Sequence, residues 1–109
     1  VAIPAQRTAP IGSNVTVNIS GPANATYGLF YSLSLGTTTL PNIGDLDLAS
    51  GKLAQVSNLS ATGESTFIGV VPNNPLLVGK TVYVQSVCND LAGATGQALF
   101  SLVEKVEIQ

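Results

Sequence analysis

Histidine, methionine and tryptophan are missing from this chain of 109 residues, and cysteine occurs once. Without an imidazole, neither a Ser-His-Asp nor a Cys-His device can be assembled, and with no other catalytic constellation in view no enzyme is expected. The lone Cys88 cannot close an internal disulfide, so the fold must rest on its core. It lies in phase with Val82 and Val84 in a β-branched run and is expected as a buried, inert thiol. Charge is also scarce, at 9% of residues with a net of −2. Arg7, Lys52, Lys80 and Lys105 are scattered and form no basic stripe for phosphates, so nucleic acid is not an expected partner. The longest apolar run, Leu29–Tyr31 with Leu33 and Leu35 behind it, falls far short of the roughly 20 residues of a membrane span, and no membrane insertion is expected.

What is present is apolar and β-branched. Hydrophobic residues make up 45%, enough for one domain with a real core, and the polar surface must come from Ser, Thr, Asn, Gln and Gly. Residues 14–20 alternate, with Val15, Val17 and Ile19 against Asn14, Thr16, Asn18 and Ser20, which predicts a half-buried strand. A second strand is predicted over 26–35, with Tyr27, Leu29, Tyr31, Leu33 and Leu35 facing the core and Phe30 on the polar side. Residues 36–44 read as a long connection. Short strands follow at 45–49 and 52–57, joined by a hairpin-like Ser50-Gly51 turn, and then a less regular strand at 65–71.

Pro72 to Cys88 organises the rest. Two prolines bracket Asn73 and Asn74, a short apolar turn at Leu76–Val78 closes on Gly79, and the run Thr81–Cys88 reads as the central strand. Leu76 and Leu77 are expected to plug one end of the molecule. After a loop over 89–96, a last strand over 97–108 keeps Ala98, Phe100, Leu102, Val106 and Ile108 in one phase. The reading is an all-β chain of about seven strands folded as an immunoglobulin-like antiparallel β-sandwich, with a small closed barrel as the alternative. Residues 1–10 stand apart from the sandwich over 11–109. Pro4 and Pro10 confine this arm to an edge or a place outside the sheet, while Val1, Ile3 and Ala5 give it one apolar face in search of a partner.

Four Asn-X-Ser/Thr sequons, at Asn14, Asn18, Asn24 and Asn58, exceed the one or two expected by chance; glycosylation and a Ser/Thr-rich accident are both open readings. Together with a start at Val1 and no Met, they predict an extracellular or cell-surface protein whose signal peptide has been removed. Asp45 and Asp47 are two apart on a strand and project on one face, a weak calcium candidate beside the commoner reading as solvated acids; no cofactor is expected. A Lys–Asn isopeptide through Lys52, Lys80 or Lys105, and a sugar platform of Tyr27, Tyr31 and Tyr83, are weaker readings still.

The segments Gly21-Pro22-Ala23-Asn24-Ala25-Thr26-Tyr27, Ile43-Gly44-Asp45-Leu46-Asp47-Leu48, Ala61-Thr62-Gly63-Glu64 and above all Val71-Pro72-Asn73-Asn74-Pro75-Leu76-Leu77-Val78-Gly79 resemble, in order and spacing, a β-sandwich module of secreted planctomycete-type bacterial proteins. The resemblance runs from about Ile11 to the end and implies a module without catalytic residues. With its spare arm, the free-standing form resembles a strand-donating filament subunit. The expected function is therefore that of a structural subunit that assembles with identical copies through Val1, Ile3 and Ala5. The alternative is a monomeric adhesion or carbohydrate-binding module using the loops 36–44 and 89–96.

Overall fold

The computed structural model describes residues 2–4, 6–40, 44–89, 98–101 and 103–109. Short strands with β-branched, alternating sequences run in the order β1 (Ala2–Pro4), β2 (Thr8–Ala9), β3 (Asn14–Ser20), β4 (Thr26–Ser32), β5 (Leu35–Leu40), β6 (Gly44–Leu48), β7 (Lys52–Asn58), β8 (Glu64–Val70), β9 (Thr81–Asn89), β10 (Ala98–Phe100) and β11 (Glu104–Ile108). One sheet has the order β1-β3-β8. A second has the order β2-β11-β9-β4-β7, with β10 also on β9, and β5 and β6 form a separate pair. The chain is an all-β sandwich whose two main sheets end in open edges at β7 and β8, not a closed barrel.

Between the two main sheets, alternation delivers Val17 and Ile19 from β3, Tyr27 and Leu29 from β4, and Val84 and Cys88 from β9 into one core. A second cluster of Ala9, Val71, Val106 and Ile108 fills one end. The third cluster lies on the opposite face of the larger sheet. There Leu46 and Leu48 of β6 cover Val87, with Phe30, Tyr83 and Phe100 packed around them. The β5–β6 hairpin is thus a third layer, fastened by the buried Gln85 side chain. Its Oε1 accepts from the Asp47 N–H at 2.9 Å and its Nε2 donates to the Ser101 carbonyl at 2.9 Å.

That layer explains several departures from the expected pattern. Phe30 is packed rather than solvated, because the hairpin covers its face. Residues 36–44 contain β5, a Thr-rich strand paired with β6, instead of a connection without structure. Ser50-Gly51 does not make a β6–β7 hairpin: β6 pairs β5 while β7 pairs β4, and Ser50, at φ 50°, turns the chain from one layer into another. The strand predicted over 26–35 ends at Ser32, and Leu35 belongs to β5; Tyr31, Leu33 and Leu35 are exposed rather than facing the core. The expected last strand divides in two. Phe100 lies opposite Val87 but Val106 opposite Val82, a one-residue shift that moves the apolar set to the other face. Ser101 marks the break, its Oγ accepting from the Ser86 N–H at 2.9 Å in place of a ladder carbonyl. Pro75–Leu77 is a single 3-10 turn whose Leu76 N–H is held by Asn74 Oδ1 at 3.0 Å. Leu77 packs at the end cluster, but Leu76 is 79% exposed and plugs nothing.

The turn from β7 to β8 runs over 59–63 and depends on Gly63. Its φ is 80°, and an added Cβ would stand 2.2 Å from the Gly21 carbonyl oxygen. Gly63 donates to the Ser60 carbonyl and accepts from the Gly21 N–H, so both position and conformation are fixed.

Candidate functional site

The N-terminal arm lies within its own domain. β1 pairs antiparallel with β3 through Ala2↔Ile19, Ile3↔Asn18 and Pro4↔Val17, while β2 pairs parallel with β11 through Glu107↔Thr8 and Ile108↔Ala9. The arm therefore crosses from one sheet to the other and closes that flank. Its register differs from the expected one: Ala2 and Ala9 are buried, whereas Ile3 is 50% exposed. With period 2, burying Ala2 turns the odd-numbered face outward at Ile3. Val1 and Ala5, the other expected contact residues, lie outside the described residues.

The opposite flank is built differently. β8 is the edge strand of the smaller sheet and β7 that of the larger one among the described residues. β8 has β3 as its ladder partner and β7 has β4; no strand bridges β7 and β8 among the described residues. At one end a polar clasp joins them. Gln55 Nε2 of β7 donates to Tyr27 Oη at 2.6 Å, and that oxygen lies 2.8 Å from Ser65 Oγ of β8. Beyond the clasp the sheets part around an apolar groove of about 480 Å³ that runs from Leu53 and Ala54 of β7 and Phe67 and Val70 of β8 inward to Val17 of β3, Val84 of β9 and Val106 of β11. Of the residues that line it, Leu53 and Val70 are exposed, at 53% and 69%. Large aliphatic side chains crowded at two unpaired strand edges are what sandwiches ordinarily avoid.

The sequon asparagines, the acids, the tyrosines, the lysines and Cys88 each have a definite place, and these five groups do not converge on one site. Asn14, Asn18, Asn24 and Asn58 are all exposed, as a glycan acceptor must be, the first two on the outer face of β3. Asn58 Oδ1 accepts from Thr26 Oγ1 at 2.9 Å, and Asn24 adopts φ 61° in its turn. Asp45 and Asp47 share the exposed face of β6, and no group of three metal-binding side chains forms among the described residues. Tyr27 is buried in the clasp, Tyr83 packs in the hairpin layer and Tyr31 is exposed at the groove, so the three tyrosines form no platform. Lys52, Lys80 and Lys105 are all exposed. Cys88 is buried in the core, and burial pushes its thiol pKa up. Most of the 89–96 loop lies outside the described residues.

Sequence reasoning missed the groove, although two signals point to it. Phe67-Ile68-Gly69-Val70-Val71 is apolar without alternating, and Leu53 and Val56, opposite Phe30 and Gly28, are large apolar residues exposed on β7. Strands of that kind are either buried on both sides or lack a neighbour.

No family model matches the chain, and no curated protein matches it. Among solved structures it is similar to the crystal structure of Spo0M, a sporulation control protein from Bacillus subtilis, at 14% identity and a TM-score of 0.46. The match covers 100% of this chain and 48% of that one, so the chain spans about half the length of that protein.

Proposed function

We propose that this chain is a non-enzymatic extracellular structural subunit that assembles with identical copies through its N-terminal arm. The observation that carries the reading is how lightly the arm is held. Its deeply buried side chains are Ala2 and Ala9, whose methyl groups contribute about 0.8 kcal/mol each, while its largest described aliphatic side chain, Ile3, is half exposed. An arm held by short ladders, two methyls and the Gln6 amide, which donates to the Asn14 carbonyl and accepts from the Thr16 N–H, buries little apolar surface in its own domain, which favours exchange between copies. A chain with 9% charged residues also suits a protein whose surfaces meet one another, since interface cores are depleted of Lys, Glu and Asp. The absence of histidine and the exposed sequons agree with a secreted, non-catalytic role.

Electron microscopy and size-exclusion light scattering on the full chain and on a form lacking residues 1–10 test this. Filaments or large oligomers from the full chain, and monomers with a cooperative unfolding transition from the shortened form, are the expected result. Monomers from both forms would overturn it and leave a monomeric adhesion or carbohydrate-binding module, whose affinity the arm would not affect.

A further inference from the structure

We infer that the groove between β7 and β8 is the acceptor site into which the arm of a second copy inserts, pairing along the unpaired edge of β8. This rests on the reading of the chain as a self-assembling subunit and specifies where the arm goes.

Three observations identify the occupant. First, the space has room for side chains: it runs from β7 and β8 inward to Val17, Val84 and Val106 of the core. About 480 Å³ holds roughly three aliphatic side chains, given that a 150 Å³ apolar cavity takes up one benzene. In a β-strand, three side chains on one face require only five residues, fewer than the seven of β8. Second, the walls are apolar. The lining comprises aliphatic and aromatic residues with Gly69 and Pro72, and contains no charged side chain, so the entering face must be apolar too. Third, the arm carries such a face in its sequence, and its described member, Ile3, is exposed. Val1, Ile3 and Ala5 alternate in the sequence, yet within its own domain the arm buries the even-numbered Ala2 and leaves Ile3 exposed. Moving the arm into a neighbour's groove exchanges two buried methyls for whole aliphatic side chains.

Pro4 does not oppose this arrangement. A strand docked on β8 has one ladder partner, and the position lacking an N–H can face away from it, as edge strands allow. Exchange into the equivalent slot of a neighbour, against β3 and β11, is the competing geometry and makes a contrary prediction. In that slot Ile3 is still exposed, so its identity should not matter.

The test uses the full chain. Ile3→Asp leaves the slot against β3 and β11 intact because its side chain is solvated there, and Ala54→Trp fills the groove from the β7 wall. Both variants are expected to lower the assembled fraction at least tenfold in light scattering while remaining folded by circular dichroism. Assembly of both variants like the parent would overturn the groove as acceptor while leaving arm-mediated assembly standing. Independently of any filament, a synthetic peptide of residues 1–10 is titrated into the full chain under hydrogen exchange. Slowed exchange at β8 amides supports the groove; no effect, or an effect confined to β3 and β11, overturns it. The peptide can succeed even where the parent forms no filament, so the two failures are distinct. Should Ala54→Trp unfold the chain, Ile3→Asp and the peptide still decide.

Discussion

Two buried hydroxyls in this core have opposite energetics. Tyr27 Oη is satisfied twice, by Gln55 and by Ser65, and ties the two open edges together. Ser86 Oγ, in a residue with no exposed surface, has no partner among the described residues. Removing a satisfied hydroxyl strands its partners, whereas removing an unsatisfied one relieves a desolvation penalty of about 1–3 kcal/mol. Tyr27→Phe should therefore lower the unfolding free energy by about 1–2 kcal/mol, and Ser86→Ala should leave it unchanged or raise it by about 1 kcal/mol. Urea unfolding of both variants at one pH, with equal m-values, checks the pair; a loss in both would mean that Ser86 is hydrogen-bonded in solution.

At the scale of elements, the β5–β6 hairpin is held by apolar contact and by one buried amide. Gln85 joins the hairpin backbone at Asp47 to the break between β10 and β11 at Ser101. Gln85→Ala leaves an N–H and a carbonyl without these partners and opens a gap beneath Leu46 and Leu48, at an expected cost of about 2–4 kcal/mol. Amide exchange in β5 and β6 should rise well above that in β3, whose partners are untouched; uniform acceleration across the chain would show that the hairpin is not a separate unit. The same elements divide what was legible in the sequence from what was not. β3, β6, β7 and β9 fall within a residue or two of their predicted bounds, because alternation over a single buried face is a local signal. The hairpin layer was illegible because Phe30 reads as exposed until something non-local covers it. The break at Ser101 was hidden because a one-residue shift leaves the spacing of Phe100, Val106 and Ile108 looking continuous. The groove is an absence of neighbours, and a strand's own sequence records its faces better than its edges.

At the scale of the molecule, a body of 47 × 28 × 17 Å holds together with no disulfide among its described residues and no histidine. With no imidazole to titrate, its stability should vary little from pH 6 to 8. The alkaline side differs because the Cys88 pKa is raised by burial in the folded state. The unfolded chain releases this proton first, so the contribution is fully present below the unfolded thiol pKa. It is lost as pH rises from there through the folded value. Unfolding free energies measured from pH 7 to 10.5 should decline more steeply for the parent than for Cys88→Ala, once the constant cost of the truncation is subtracted. Parallel profiles would show that the thiol titrates alike in both states.

Gly63 bears on more than its own turn. It sits in the short link that sets the spacing of the two open edges, with no room for even one added carbon beside the Gly21 carbonyl. A side chain in the walls of the groove changes only what the opening touches, whereas any side chain at Gly63 must move the Gly21 carbonyl and with it the link between β7 and β8.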